Sequence, residues 1–175
     1  VKILLAADSE ALLSGEDYQT FRSAAMRMCY LAQDRPELAF AAKEMAREVS
    51  KPSQASLKAM KRACRFLLGA GRCIWTLPRQ EAAASIDAYS DADWAGCQRT
   101  RRSTSCSMLY IGRHLIGASS TTQNVLALSS GESEYYGLVK TASRALGLQA
   151  LARYFGVQLS VSVFVDSTAC KGGAS

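Results

Sequence analysis

The 175-residue chain is nearly half apolar (49%) and carries a formal charge of +6, which fits packed globular structure rather than disorder and leaves room for one large domain or two small ones. Its single histidine, His114, and six cysteines without a C-x-x-C pair (Cys29, Cys64, Cys73, Cys97, Cys106, Cys170) argue against a zinc site and against Ser-His-Asp or Cys-His nucleophilic chemistry. No apolar run approaches the roughly 20 residues of a membrane span and no signal peptide is visible, so the expectation is an intracellular protein without a membrane partner, its cysteines buried as free thiols.

In chain order, helices come first. "GEDYQTFRSAAMRMCYLAQ" places Phe21, Ala24, Ala25, Met28 and Leu31 at helical spacing. "RPELAFAAKEMAREVSK" predicts a second helix that starts at Pro36 and ends before Pro52. "SQASLKAMKRACRFLLGAG" predicts a third, with Leu57, Met60, Ala63, Cys64 and Leu67 inward and Gly69 and Gly71 as its stop. Lys58, Lys61, Arg62 and Arg65 fall mainly on the opposite face of that helix. A second basic cluster, Arg99, Arg101 and Arg102, sits in "QRTRR". Such surfaces suit an anionic polymer, nucleic acid first, although each cluster alone also reads as an ordinary solvated face.

After "IWTLPRQEAAAS" the pattern changes to strands. Ile86 to Asp91 predicts the first, and "SCSMLYIG" with "HLIGASS" a hairpin turning at Gly112-Arg113. A long helix over "SGESEYYGLVKTASRALGLQALARYFG" precedes a last strand, "SVSVFVDS". This α/β order allows a right-handed crossover that sets the last strand parallel to a partner. The predicted division is residues 1–80, a small three-helix segment, and 81–175, an α/β domain. A chain that begins at Val1 and stops in "CKGGAS" just after a strand-like run reads as a piece of a longer polypeptide.

Asp87, Asp91 and Asp93 crowd the first strand, in "SIDAYSDADWAG". A wet edge strand accounts for them; so does one aspartate belonging to a metal-binding cluster. Asp91 ends the first strand as Asp166 ends the last, and functional groups in open α/β sheets gather at carboxyl ends of strands. Two aspartates converging there would repel unless a divalent cation or a proton sat between them, and hard oxygen donors suit Mg²⁺ or Mn²⁺. The helix start "ALSSGESEYYGL" offers a third acid. Glu132 and Glu134 lie about 200° apart around a helix and cannot face one site together. Both flank an apolar stripe of Tyr135, Leu138, Ala142 and Leu146. Ser129-x-x-Glu132 fits a capping box, which gives Glu132 a local role and leaves Glu134 as the better candidate.

Together "YSDADWAGCQRTRRSTS", "ALSSGESEYYGL" and "VFVDSTA" resemble the ribonuclease H region of Ty1/Copia-type retrotransposon Pol polyproteins. The upstream "YLAQDRPELAFAAKEMAREVSKPSQASLKAMKRACRFLLG" resembles the connection segment after the reverse-transcriptase palm. The likeness runs in unbroken order over roughly residues 17–170. It implies a ribonuclease H-like mixed sheet of five strands with helices, C-terminally truncated here and preceded by a helical connection or thumb-like segment. The implied activity is cleavage of the RNA strand of RNA–DNA hybrids with two Mg²⁺ or Mn²⁺ ions, during reverse transcription. The implied partners are the hybrid and the rest of the polyprotein, palm and integrase included; the implied location is a cytoplasmic particle or the nucleus.

Carried over residue by residue, the family's acids fall on Asp91, Glu134 and Asp166, with Asp91 bridging the metals. Gly137 stands where such helices have a small residue three after the glutamate. Asp93 becomes a loop acid and Asp87 an exposed strand residue. The basic clusters would grip sugar–phosphate backbones without reading sequence, and 2′-hydroxyl contacts would select RNA. This sequence departs from the pattern in three places. Cys106 replaces a glycine, and Ala118, Thr121 and Thr122 replace a tryptophan and lysines before Gln123. The family's fourth carboxylate lies beyond Ser175. That last departure keeps two rival readings open: a non-catalytic nucleic-acid-binding remnant and a structural connection segment.

Overall fold

The computed structural model describes residues 11–166. Four α-helices, one 3₁₀ turn and four strands follow one another there, and the chain divides between Trp75 and Thr76 into two units. Cys170 and the rest of the 167–175 segment, where the resemblance ends, lie outside the described residues.

In the first unit, α1 (Gly15–Leu31), α2 (Ala39–Glu48) and α3 (Gln54–Gly69) share a core of Phe21, Ala25, Met28, Leu38, Ala42, Met45, Leu57 and Met60. The helical spacing of these apolar residues places them on facing stripes. Ser53 caps α3 reciprocally with Ser56, each hydroxyl accepting the other residue's backbone N–H. Three expectations need correction. Pro36 opens a 3₁₀ turn, Pro36–Leu38, and the α-helix begins only at Ala39. Leu31, at the C-terminal end of α1, is 41% exposed instead of inward. Cys64 is exposed, as is Cys73, while Cys29, Cys97 and Cys106 are half-buried. The described cysteines are free, but none is fully buried, since none occupies a position central to a core stripe.

The second unit is a four-stranded mixed sheet in the order β3-β2-β1-β4. β1 (Ser85–Asp93) pairs antiparallel with β2 (Thr104–Ile111), and β2 with β3 (His114–Thr122), around the Gly112-Arg113 turn. Gly112 has φ +58°, and a Cβ there would run into the Gln80 side chain, whose amide bonds the Ile111 carbonyl and the Arg113 N–H. The crossover through α4 (Ser130–Tyr154) sets β4 (Ser160–Val165) parallel to β1. Ile86, Ala88 and Leu109 face α4 and pack with its Ala145. On the other face Tyr89 stacks on Phe164 at 5.0 Å and meets the edge of Tyr110 at 5.8 Å.

The buried face of α4 is not the apolar stripe. Ser133, Glu134, Gly137, Thr141 and Ala145 are buried, whereas Tyr135 and Leu146 are 48% and 56% exposed. A Cβ on Gly137 would lie 3.2 Å from Ser90 Oγ and 3.6 Å from Ala92 Cβ. The helix rides so close to β1 that size, not hydropathy, selects the residues between them.

No described helix is long and apolar enough to cross a membrane.

Candidate metal centre

Because β1 and β4 are parallel neighbours paired as far as Ser90 with Val165, the next residues of each, Asp91 and Asp166, emerge side by side at the carboxyl ends of their strands. The start of the second turn of α4 brings Glu134 to the same place. A carboxylate oxygen from each of Asp91, Glu134 and Asp166 lies within 4.8 Å of the other two. The two aspartates are exposed; Glu134 is 9% exposed.

Local chemistry separates the two helix acids. Ser129 Oγ accepts the Glu132 N–H at 3.1 Å, while Glu132 Oε2 accepts from the Leu128 N–H at 2.6 Å and Oε1 from the Tyr136 hydroxyl at 3.1 Å. The return bond of the predicted capping box therefore goes to Leu128, one residue ahead of the cap, and Glu132 is fully occupied at the helix start. Glu134 points the other way. The Ala92 N–H bonds its carboxylate, but Oε2 is buried with no hydrogen-bond partner. Desolvation raises its pKa most, followed by the charges of Asp91 and Asp166, against a smaller lowering by the Ala92 N–H.

The donor set fits a hard divalent cation. Three carboxylates converge, one oxygen is orphaned in a buried position where a lone pair ordinarily finds a partner, and nothing softer than oxygen joins the cluster among the described residues. The same three residues would hold Mg²⁺ or Mn²⁺.

The remaining singled-out residues fall elsewhere. Asp93 folds over the backbone of Gly96 in the turn after β1, where any Cβ at Gly96 would collide with its carboxylate. Asp87 takes the Ser85 hydroxyl at 3.0 Å on the face away from α4 and is half-buried. Cys106 sits opposite Asp91 across the β1–β2 ladder, its thiol turned to Ser120 Oγ at 3.8 Å. Arg99, Arg101 and Arg102 are exposed in the turn before β2, and Lys58, Lys61, Arg62 and Arg65 are exposed on α3.

Two contributors carried little sequence signal. Ala92 acts through its backbone N–H, which no side-chain pattern reveals. Gln123 is buried and donates from Nε2 to Ser105 Oγ, the Ser133 carbonyl and Ser133 Oγ, tying the end of β3 to the first turn of α4 and so fixing where Glu134 enters.

No protein-family model matches the chain, and no solved structure matches it significantly. Among curated proteins it is 32% identical over 82% of its length to the retrovirus-related Pol polyprotein from transposon RE1 of Arabidopsis thaliana. It is 33% identical over the same share to that from transposon RE2. A Plasmopara viticola protein named secreted RxLR effector protein 161 is 33% identical over 72% of the chain and 88% of its own length. The chain spans about 10% of the length of the two Pol polyproteins.

Proposed function

The chain belongs to the Pol polyprotein family of Copia-type retrotransposons, and from that premise we propose that residues 81–175 form a ribonuclease H-type unit that hydrolyses the RNA strand of RNA–DNA hybrids. The observation that carries the reading is the convergence of Asp91, Glu134 and Asp166 around a buried, unpartnered carboxylate oxygen. The mixed sheet, with antiparallel β1–β2–β3 followed by a helical crossover to a parallel β4, is compatible with that fold.

When bound, the divalent cations supply an activated water and stabilise the leaving oxygen of an in-line displacement. The protein's part is to hold the ligands. Asp91 and Asp166 are fixed by the ends of two hydrogen-bonded strands and stay open to an incoming phosphodiester. Glu134 is held from beneath by the Ala92 N–H, its carboxylate largely withdrawn from water while the two aspartates stay exposed. Glu132 is kept out by its own bonds. The exposed cations of α3, Lys58, Lys61, Arg62 and Arg65, and those of the 99–102 turn supply backbone contacts that set position without reading bases.

The test is cleavage of a labelled RNA–DNA hybrid in Mg²⁺ or Mn²⁺, by this chain and by a longer Pol polypeptide that continues past Ser175 to the fourth carboxylate of the family. Asp91→Asn should abolish cleavage and Asp87→Asn should leave it nearly intact, with the longer polypeptide the more active. Equal rates for wild type and Asp91→Asn would refute the assignment. Hybrid affinity without cleavage in both lengths would select the binding remnant instead.

A further inference from the structure

A second polar cluster lies on the same helix as Glu134, further along α4, and the metal centre leaves it without a role. Lys140 and Arg144 stand one turn apart and reach over the β2–β3 ladder. Arg144 Nη1 donates to Ser107 Oγ and to Ser119 Oγ, two hydroxyls that face each other across the ladder and lie 2.9 Å apart. Lys140 Nζ donates to Thr121 Oγ1 at 2.7 Å.

What sets the pair apart is what they lack. Among the described residues, no ion pair involves Lys140 or Arg144, unlike Arg35, Lys43 and Arg47 of the first unit, which each meet a glutamate. Arg144 is half-buried, so part of its hydration is gone, yet only neutral hydroxyls replace it. A guanidinium drawn out of water is ordinarily matched by an anion. The hydroxyls beside it are suited to the same guest, since Ser and Thr can turn an O–H outward and donate.

The geometry adds a direction. Ser119 and Thr121 are two residues apart on β3, roughly 7 Å along the strand, and β3 is one of the two edge strands of the sheet among the described residues. Lys140 and Arg144 repeat at about 6 Å on the helix, a step that consecutive phosphates of one nucleic-acid strand can follow. The row runs on toward the basic turn, because the Gln123 N–H bonds the Ser103 carbonyl and so joins the end of β3 to the residue after Arg102.

We infer that Lys140 and Arg144, with Ser119 and Thr121, seat two consecutive phosphates of a nucleic-acid strand along the β3 edge. That the ligand is nucleic acid rests on the reading above; that the seat takes an anion rests on the unpaired cations. Contacts of this kind fix register and confer no base preference.

The test is binding of a labelled RNA–DNA hybrid by the 175-residue chain in EDTA, across a salt series. Each lost phosphate contact should reduce the slope of log affinity against log salt by about one. Lys140→Gln should therefore flatten it by about one, and Lys140→Gln with Arg144→Gln by about two, with no change in sequence preference. Because Arg144→Gln removes an anchor of the β2–β3 ladder, the exposed Lys140→Gln and the charge-keeping Arg144→Lys separate binding from folding. A folded Lys140→Gln protein with wild-type slope and affinity overturns the seat. A second arm titrates inorganic pyrophosphate while following the side-chain NMR signals of Arg144 and Lys140. If wild type ignores the hybrid while pyrophosphate moves both signals, the functional reading falls and the anion seat stands; if pyrophosphate moves neither, the seat falls.

Discussion

Glu134→Gln should stabilise the metal-free protein and remove its response to divalent cations. With the carboxylate oxygens at up to 4.8 Å, each like-charge pair costs about 0.9 kcal/mol in bulk water and about 3.5 kcal/mol at an effective dielectric of 20. Glu134 faces two such partners. Asp91 and Asp166 are exposed and well screened, which puts the sum toward the lower limit, about 2 kcal/mol. The glutamine keeps an oxygen for the Ala92 N–H, so relief of charge is not offset by a lost bond. Over the second unit, 76–175, that gain corresponds to a rise in Tm of roughly 10 °C. The sign with pH follows from the raised pKa of Glu134. Between its ordinary value of 4.5 and the raised one, the folded state holds more proton than the unfolded, so stability from this group falls as pH rises through that window. The difference between Glu134→Gln and wild type should therefore grow as pH rises above about 4.5 and then level off. The assay is thermal unfolding in EDTA across pH, repeated with Mn²⁺ at about 100 times its Kd, where wild type should gain about 2.7 kcal/mol and the variant far less. Glu132→Ala, which loses the bonds to Leu128 and Tyr136, should shift stability the other way. A Glu134→Gln protein no more stable than wild type without metal, or equally stabilised by Mn²⁺, would refute the argument.

Gly137→Val should destabilise the second unit by about 1–3 kcal/mol in urea unfolding, because Ser90 Oγ and Ala92 Cβ already stand at contact distance from where its Cβ would lie; an unchanged midpoint would mean that α4 can lift off β1 freely. Gln123→Leu should cost about 1–3 kcal/mol by leaving the Ser133 carbonyl and two serine hydroxyls without their donor, and should also weaken Mn²⁺ stabilisation, since it frees the turn that delivers Glu134. Loss of stability with wild-type metal response would show that Gln123 only fills space.

Much of this was legible in the residues. The run Ile86 to Asp91 marked the first strand, Gly112-Arg113 marked the hairpin, and two apolar runs ending in aspartate marked a shared strand-end site. The helix between them left only a parallel pairing to bring those ends together. The helix α4 falls where the sequence predicts it, but hydropathy does not single out its buried face, because Tyr135, Leu138, Ala142 and Leu146 form the apolar stripe. The sheet instead demanded the small side chains of Ser133, Gly137, Thr141 and Ala145, and a hydropathy scale does not register size. The cysteines misled in a similar way, as apolar residues whose positions between core stripes leave them partly or wholly open. Lys140 and Arg144 belong to no motif that the sequence singles out, although Arg144 stands seven residues after Gly137, on the face turned to the sheet.

The sheet order also sets an expectation for folding. β1, β2 and β3 are neighbours in the chain and can zip up as a local meander, whereas Ser85 finds Ser160 only after the whole α4 crossover is in place. Closing that long loop should be the slower step. The carboxylate cluster straddles this late seam, with Asp91 on the early side and Asp166 on the late one. During synthesis the β1–β4 ladder cannot be completed until Val165 has left the ribosome, and in the finished protein β4 should open before the meander does. Amide exchange along Val161–Val165 should therefore report on competence of the site at milder conditions than those that melt the hairpin.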